Sequence, residues 1–210
     1  MDKIICLGKN YAEHAKELGD AIPEKPVVFL KPPSICRFAR ENGETLLLSL
    51  PQGVGEVHHE CEIVLKLGKG GFRVPLAEAG EMIEAVSVGL DMTLRDRQAR
   101  QKKEGHPWTT SKVFPDSAVH GLWVAKGDFP DWISTEFFFS IDGQVRQHGA
   151  ASQMSLGPEA SIAYLSEFFP LEKGDLIFTG TPAGVGPVLA GQTGKLRWGP
   201  IQYSVRWKAL

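Results

Sequence analysis

Three carboxylates are placed to bind a hard cation: Glu60 and Glu62 in the run His58-His59-Glu60-Cys61-Glu62, and Asp91 in Gly89-Leu90-Asp91-Met92-Thr93. Glu60, Glu62, Val64 and Lys66 share one parity, while Cys61, Ile63, Leu65 and Leu67 share the other. A strand sends successive side chains to opposite faces. The two glutamates are therefore predicted to point the same way, with their apolar neighbours entering a core. Asp91 closes a second strand-like run over 85–90. Brought together, the three make an all-oxygen pocket that repulsion disfavours unless a cation fills it, and hard oxygen donors suit Mg²⁺, Mn²⁺ or Ca²⁺ better than zinc. The alternative is a pair of solvent-facing glutamates on an edge strand, with Asp91 capping the next helix. These segments alone leave both readings open.

Other residues have chemical uses of their own. His14 and Glu17 are three apart and so share a helix face. A carboxylate that fixes a histidine tautomer makes a general base, although an exposed helix with ordinary ion pairs has the same spacing. Lys31 follows Phe29-Leu30 at a strand end, and Lys112 lies in a polar loop after Trp108; either could meet a substrate carboxylate or an oxyanion. The loop 180–186 is glycine-rich and follows a strand, but no helix pattern opens after it, so it is neither a P-loop nor a dinucleotide fingerprint. Its backbone N–H groups and the Thr181 hydroxyl suit a small anion; a simple tight connection is the plain alternative. No G-x-S-x-G elbow or activated cysteine points to a covalent nucleophile. His58 and His59 lack a second spaced ligand group for zinc.

The elements that must carry these residues are short. Strands are predicted over 3–7, 27–31, 45–48, 60–67, 85–90 and 175–179. A helix is expected from Tyr11 to Leu18 with Asn10 as its cap, and a basic helix from Arg95 is closed by Gly105. Asp142-Gly143 between apolar runs signals a β-hairpin. Pro158 opens an amphipathic helix reaching Phe169, and a final hairpin turns at Gly199-Pro200. Many strands without regular βαβ alternation predict an α+β, largely antiparallel fold.

The chain has 210 residues, enough for one domain with a substantial core. A hydrophobic content of 42%, a charged content of 23% and a net charge of −2 describe an ordinary globular protein with no electrostatic reason to meet nucleic acid or an anionic membrane. No apolar run approaches the ~20 residues of a membrane span. Cys6, Cys36 and Cys61 sit among apolar neighbours without paired spacing. Buried reduced thiols are expected, and with a start that lacks a leader layout they predict a cytoplasmic protein.

Taken in order, Gly8-Lys9-Asn10-Tyr11-Ala12-Glu13-His14, Phe29-Leu30-Lys31-Pro32, His58-His59-Glu60-Cys61-Glu62, Asp91-Met92-Thr93-Leu94-Arg95-Asp96-Arg97-Gln98, Pro107-Trp108, Ser111-Lys112 and the run from Thr179 to Gly186 resemble the fumarylacetoacetate hydrolase family, specifically its short acylpyruvase and oxaloacetate decarboxylase branch. The resemblance covers nearly the whole chain. It implies a single catalytic domain over 1–210, mostly β, with a mixed β-sheet roll and short flanking helices, and a homodimer. It implies Mg²⁺ or Mn²⁺ on Glu60, Glu62 and Asp91. His14 and Glu17 become the general-base pair on a lid helix of about 10–18, and Lys112 becomes a substrate and oxyanion contact. Lys31, Arg95, Gln98 and Thr181 fall where the family shapes its pocket. The implied activity is metal-dependent cleavage of a C–C bond in small 2-oxo acids: acylpyruvate hydrolysis to pyruvate and a carboxylate, with oxaloacetate decarboxylation possible on the same site. Decarboxylation or isomerisation of unsaturated dicarboxylates from aromatic-ring breakdown, and a non-enzymatic metal-binding protein of the same fold, are the other readings. Cys61 stands where Val or Leu is commoner, and Gln192 where Asp is frequent.

Overall fold

A computed structural model describes residues 2–13 and 25–210. Most of the expected lid helix, with His14 and Glu17, lies outside the described residues. The described strands run in chain order β1 (Ile4–Gly8), β2 (Val27–Lys31), β3 (Cys36–Phe38), β4 (Thr45–Leu50), β5 (Val57–His59), β6 (Cys61–Leu67), β7 (Ile83–Asp91), β8 (Thr93–Leu94), β9 (Ala118–His120), β10 (Val124–Ala125), β11 (Phe137–Ile141), β12 (Gln144–Gly149), β13 (Leu176–Phe178), β14 (Gly186–Pro187), β15 (Thr193–Trp198) and β16 (Ile201–Ala209). Among the described residues four α-helices accompany them: α1 (Leu76–Ala79), α2 (Arg95–Glu104), α3 (Thr109–Lys112) and α4 (Pro158–Ser166).

The strands form three sheets, ordered β2-β1-β13-β6-β7-β9-β3 with β10 also on β7, then β12-β11-β15-β16-β4, and β14-β5-β8. The fold is mostly β, in mixed sheets. Antiparallel pairing prevails as expected, but β1/β13, β3/β9 and β4/β16 are parallel. Each of those pairs joins segments far apart in sequence, which no local pattern reports.

The parity expected around the glutamates is altered in one respect. Strand β6 is buried on both faces. Ile63, Leu65 and Leu67 join the main core, while Val64 packs with Ile4, Cys6, Leu176 and Phe178 on the other side. A strand covered on both faces carries apolar residues at both parities. The second sheet alternates instead. Ile201, Tyr203, Val205 and Trp207 of β16 point inward, with Gln202, Arg206 and Lys208 outside. The Tyr203 hydroxyl donates to the Val88 carbonyl at 3.0 Å, tying the two large sheets together.

The punctuation follows its chemistry. Asp142 and Gly143 turn the β11–β12 hairpin at φ of 49° and 83°, as the right-handed strand twist requires. Helix α2 ends at Gly105 with φ of 70°. Helix α4 stops at Ser166 rather than Phe169, because Phe169 precedes Pro170, and a residue before proline is pushed out of the helical region. Of the three cysteines, Cys6 and Cys61 are buried but Cys36 is only half-buried on edge strand β3, and none is bonded to another.

Candidate metal centre

The centre lies where β6, β7 and the segment after β13 meet. Cys61 is opposite Leu90 and Glu62 is opposite Gly89. Glu60 falls in the one-residue break between β5 and β6, where its carbonyl accepts from the Asp91 N–H at 2.8 Å. That pairing brings one oxygen each from Glu60, Glu62 and Asp91 within 4.8 Å of one another, all buried. Gly180 follows β13 at φ of +96°, and its N–H donates to Glu62 Oε2 at 2.8 Å. A Cβ there would fall 2.9 Å from Asn10 Cβ and 3.0 Å from the Leu7 carbonyl oxygen, so only glycine fits.

Three cations answer two of the carboxylates, Glu60 and Asp91. Lys112, on α3, donates to Glu60 Oε2 at 2.7 Å, Asp91 Oδ2 at 2.6 Å and Thr93 Oγ1 at 2.7 Å. Burial works against its charge, but the adjacent Asp91 and Glu60 carboxylates outweigh burial and hold the ammonium above its usual range. Lys31 pairs with Asp91 Oδ1 at 2.5 Å and donates to the Ser117 carbonyl at 2.6 Å. Arg95, at the start of α2, donates from Nη2 to Glu60 Oε1 and from Nη1 to Gln98 Oε1, both at 2.6 Å. Its Nε reaches His58 Nδ1 at 3.3 Å, and His58 in turn meets Glu56 at 2.8 Å. Glu62 makes no ion pair with these three cations. Burial first, then the neighbouring charges of Asp91 and Glu60, push its carboxyl well above the usual range.

A cavity of about 20 Å³ opens at this point, lined by Glu60, Glu62, Arg95, Gln98, Lys112 and Thr181 together with Leu7, Gly8, Lys9, Lys102 and Trp108. The volume is of the order needed by one water or ion. Of the residues singled out in the sequence, the three carboxylates, Arg95, Gln98, Lys112 and Thr181 thus converge. Lys31, the last residue of β2, is buried beside Asp91. The Thr181 hydroxyl donates to the Cys61 carbonyl at 2.8 Å and accepts from Gln147 Nε2 at 2.8 Å. The Asn10 oxygen expected to cap a helix accepts from the Leu156 N–H at 2.8 Å. His59 donates from Nδ1 to Gln147 Oε1 at 2.9 Å, and burial draws its pKa down to about 4.

Gln147 went unnoticed in the sequence. It is 1% exposed on a strand whose other side chains, except Gly149, face solvent. A register shift between Phe139 and Ser140 sets it opposite Phe139, and a bulge breaks the period on which inward positions are read.

The donor set fits a hard divalent ion. It is wholly carboxylate, its three ligand atoms are already gathered, and the Lys112 ammonium bridges two of them where positive charge is wanted. Asp91 Oδ1 is buried and paired with Lys31 by charge alone, without hydrogen-bond geometry, and so keeps a lone pair for a metal. His58 and His59 are engaged elsewhere and add no zinc-type ligand.

Comparison with known proteins agrees with this chemistry. The family described as fumarylacetoacetate (FAA) hydrolase, C-terminal, matches residues 3–201. The mitochondrial oxaloacetate decarboxylase of Dictyostelium discoideum is 40% identical over 190 residues, 90% of this chain and 85% of that protein. An oxaloacetate tautomerase of Escherichia coli (strain K12) is 38% identical over 192 residues, 91% of this chain and 85% of that protein. Among solved structures, fumarylpyruvate hydrolase from Pseudomonas aeruginosa in complex with Mn²⁺ and pyruvate superposes with a TM-score of 0.92 at 37% identity, covering 99% of this chain and 90% of that one.

Proposed function

We propose that this chain, an enzyme belonging to the fumarylacetoacetate hydrolase family, uses Mg²⁺ or Mn²⁺ on Glu60, Glu62 and Asp91 to carry small 2-oxo acids through an enolate, with oxaloacetate as the first substrate to examine. The observation that carries the reading is the buried carboxylate triad. Lys31, Lys112 and Arg95 pair with Asp91 and Glu60, while Glu62 is held by the Gly180 N–H, so the triad is only partly compensated without a metal. The choice of oxaloacetate follows the relatives, a decarboxylase and a tautomerase of oxaloacetate.

When bound, the ion supplies Lewis-acid stabilisation of the enolate charge. Lys112 supports negative charge on the same side of the cleft, and Arg95 and Gln98 hold its wall through their mutual bond. Loss of CO₂ or of a C3 proton from oxaloacetate needs no attacking water. Acylpyruvate hydrolysis does need one, and His14 oriented by Glu17 is the base assigned to it. This second reaction is favoured by the pyruvate held in the Pseudomonas aeruginosa hydrolase. The proposal includes a catalytic domain spanning the chain, a homodimer, and a cytoplasmic setting in keeping with the unpaired thiols. Among the described residues no helix is long and apolar enough to cross a membrane.

The test is pyruvate release from oxaloacetate and from acetylpyruvate, with oxaloacetate enol–keto conversion followed by ultraviolet absorbance. Each is run with Mg²⁺, with Mn²⁺ and after chelation, less the rate of the metal alone. Metal-dependent turnover of oxaloacetate is expected, and His14→Ala should stop acetylpyruvate hydrolysis while sparing oxaloacetate. No metal-dependent turnover of either substrate would overturn the reading.

A further inference from the structure

Strand β13 pairs with β6 only as far as Phe178 opposite Val64. The Thr179 N–H and hydroxyl still reach the Ile63 carbonyl, at 3.1 and 2.8 Å. The chain then departs at Gly180, whose N–H is spent on Glu62. Cys61, the residue between two of the three carboxylates, would be left with a buried N–H and C=O and no ladder partner. Two side chains take over the ladder. The Cys61 carbonyl accepts from the Thr181 hydroxyl at 2.8 Å, and the Cys61 N–H donates to Gln147 Oε1 at 2.9 Å.

From this geometry we infer that Gln147 is a positioning residue for the metal centre, acting through the Cys61 peptide and Thr181 to hold Glu60 and Glu62 in register. The inference rests on the reading of Glu60, Glu62 and Asp91 as metal ligands. The Gln147 amide reaches four partners. Its oxygen meets the Cys61 N–H and His59 Nδ1, both at 2.9 Å, and its nitrogen donates to Thr181 Oγ1 at 2.8 Å and the Pro182 carbonyl at 2.9 Å. Only a primary amide offers two acceptor sites and two donors at one place. A glutamate of the same shape would present an oxygen to the Pro182 carbonyl and add a negative charge near a centre that already holds three. Because Gln147 comes from β12 of the second sheet and Thr181 from the segment after β13, the clasp also fixes the hairpin's place relative to the centre. Partners that orient metal ligands from behind govern affinity, and losing one costs about 10–100-fold.

The test measures Mn²⁺ binding to purified full-length protein by electron paramagnetic resonance of the free ion. Gln147→Met and Gln147→Glu are compared with the wild type and with Ile162→Val, a mild core substitution in α4 that controls for general loss of stability. Each variant's metal-free melting temperature is recorded alongside. We expect at least a tenfold weaker Kd in both Gln147 variants and an unchanged Kd in Ile162→Val. A Kd within twofold of wild type in either folded Gln147 variant overturns the assignment. Failure of both to fold makes Gln147 a residue of the fold alone and overturns it as well. A wild-type chain that binds no Mn²⁺ is a different failure, since it removes the metal centre itself.

Discussion

The carboxylate centre and the inner face of the second sheet are equally dry and are held by opposite means. Trp198, Tyr203, Trp207, Phe137 and Phe139 are each at most 1% exposed, and apolar burial stabilises them one by one at roughly 25 cal/mol per Å². Asp91, Lys31 and Lys112 are at most 2% exposed, and each tolerates burial only because an opposite charge lies beside it. A hydrophobic face degrades gradually when a methyl group is lost. A charge cluster fails abruptly when one member is lost, and it holds poorly compensated charge that a ligand can exploit. The molecule places its chemistry in the second kind of interior.

The widest separation between the two regions should come from Glu62→Gln. Its loss as a ligand should reduce Mn²⁺ affinity and turnover by at least about a hundredfold. The metal-free protein should melt higher, by roughly 2–4 °C per kcal/mol recovered, because burial and like charge work against the carboxylate there while the amide still accepts from Gly180. Turnover, Mn²⁺ titration and calorimetry of the chelated protein read this directly; a lower melting temperature would refute the view of Glu62 as uncompensated.

Lys112→Met strips the counter-charge from Glu60 and Asp91. Urea unfolding with chelator should show a loss of about 3–5 kcal/mol, part of which added Mn²⁺ restores. Ile201→Val on the opposite face should cost only about 0.5–1.5 kcal/mol, with no response to metal. Equal costs, or equal metal response, would erase the contrast.

His120 tests the apolar side with a titratable group. It is buried at the end of β9, lies 5.5 Å from the Phe38 ring and 4.4 Å from Trp123 between centroids, and bonds through Nδ1 to the Gly121 carbonyl at 2.6 Å. Burial, with a smaller contribution from Lys66, lowers its pKa from 6.5 to about 4. The unfolded chain therefore takes up this proton first. Stability is fully present above pH 6.5 and is lost as the pH falls towards 4, by up to about 3 kcal/mol. His120→Phe, which keeps the ring contacts, should flatten that part of the stability–pH curve in denaturant melts at pH 4.5 and 7; an unchanged slope would show that His120 takes up its proton equally in the folded and unfolded chain.

Much of the centre was legible in the chain because its signals are short-range. The two glutamates and the strand-ending aspartate, the Asp142-Gly143 turn and the Gly105 stop each depend on neighbouring residues. Arg95 and Gln98 are implied by the family resemblance, and the fold joins them through the bond from Arg95 Nη1 to Gln98 Oε1. The burial of Lys31 beside Asp91 is not legible at a strand end, because it depends on a partner 60 positions away. Thr181 lines the cavity as the family pattern implies, and its hydroxyl bond to the Cys61 carbonyl is visible only in the fold. Gln147 was invisible, since its partners lie 34 to 88 positions away and a bulge hides its inward direction.

By itself the sequence determined the family, the chemistry of the donor set and the local elements that carry it, because periodicity, turn chemistry and motif spacing act over a few residues. Tertiary structure alone decided which cation answers which carboxylate, that β6 is covered on both faces, and that side chains complete the ladder at Cys61. Those outcomes turn on burial and on contacts between distant segments, where the free energy of a charge or an N–H group depends on what the fold brings within 3 Å of it.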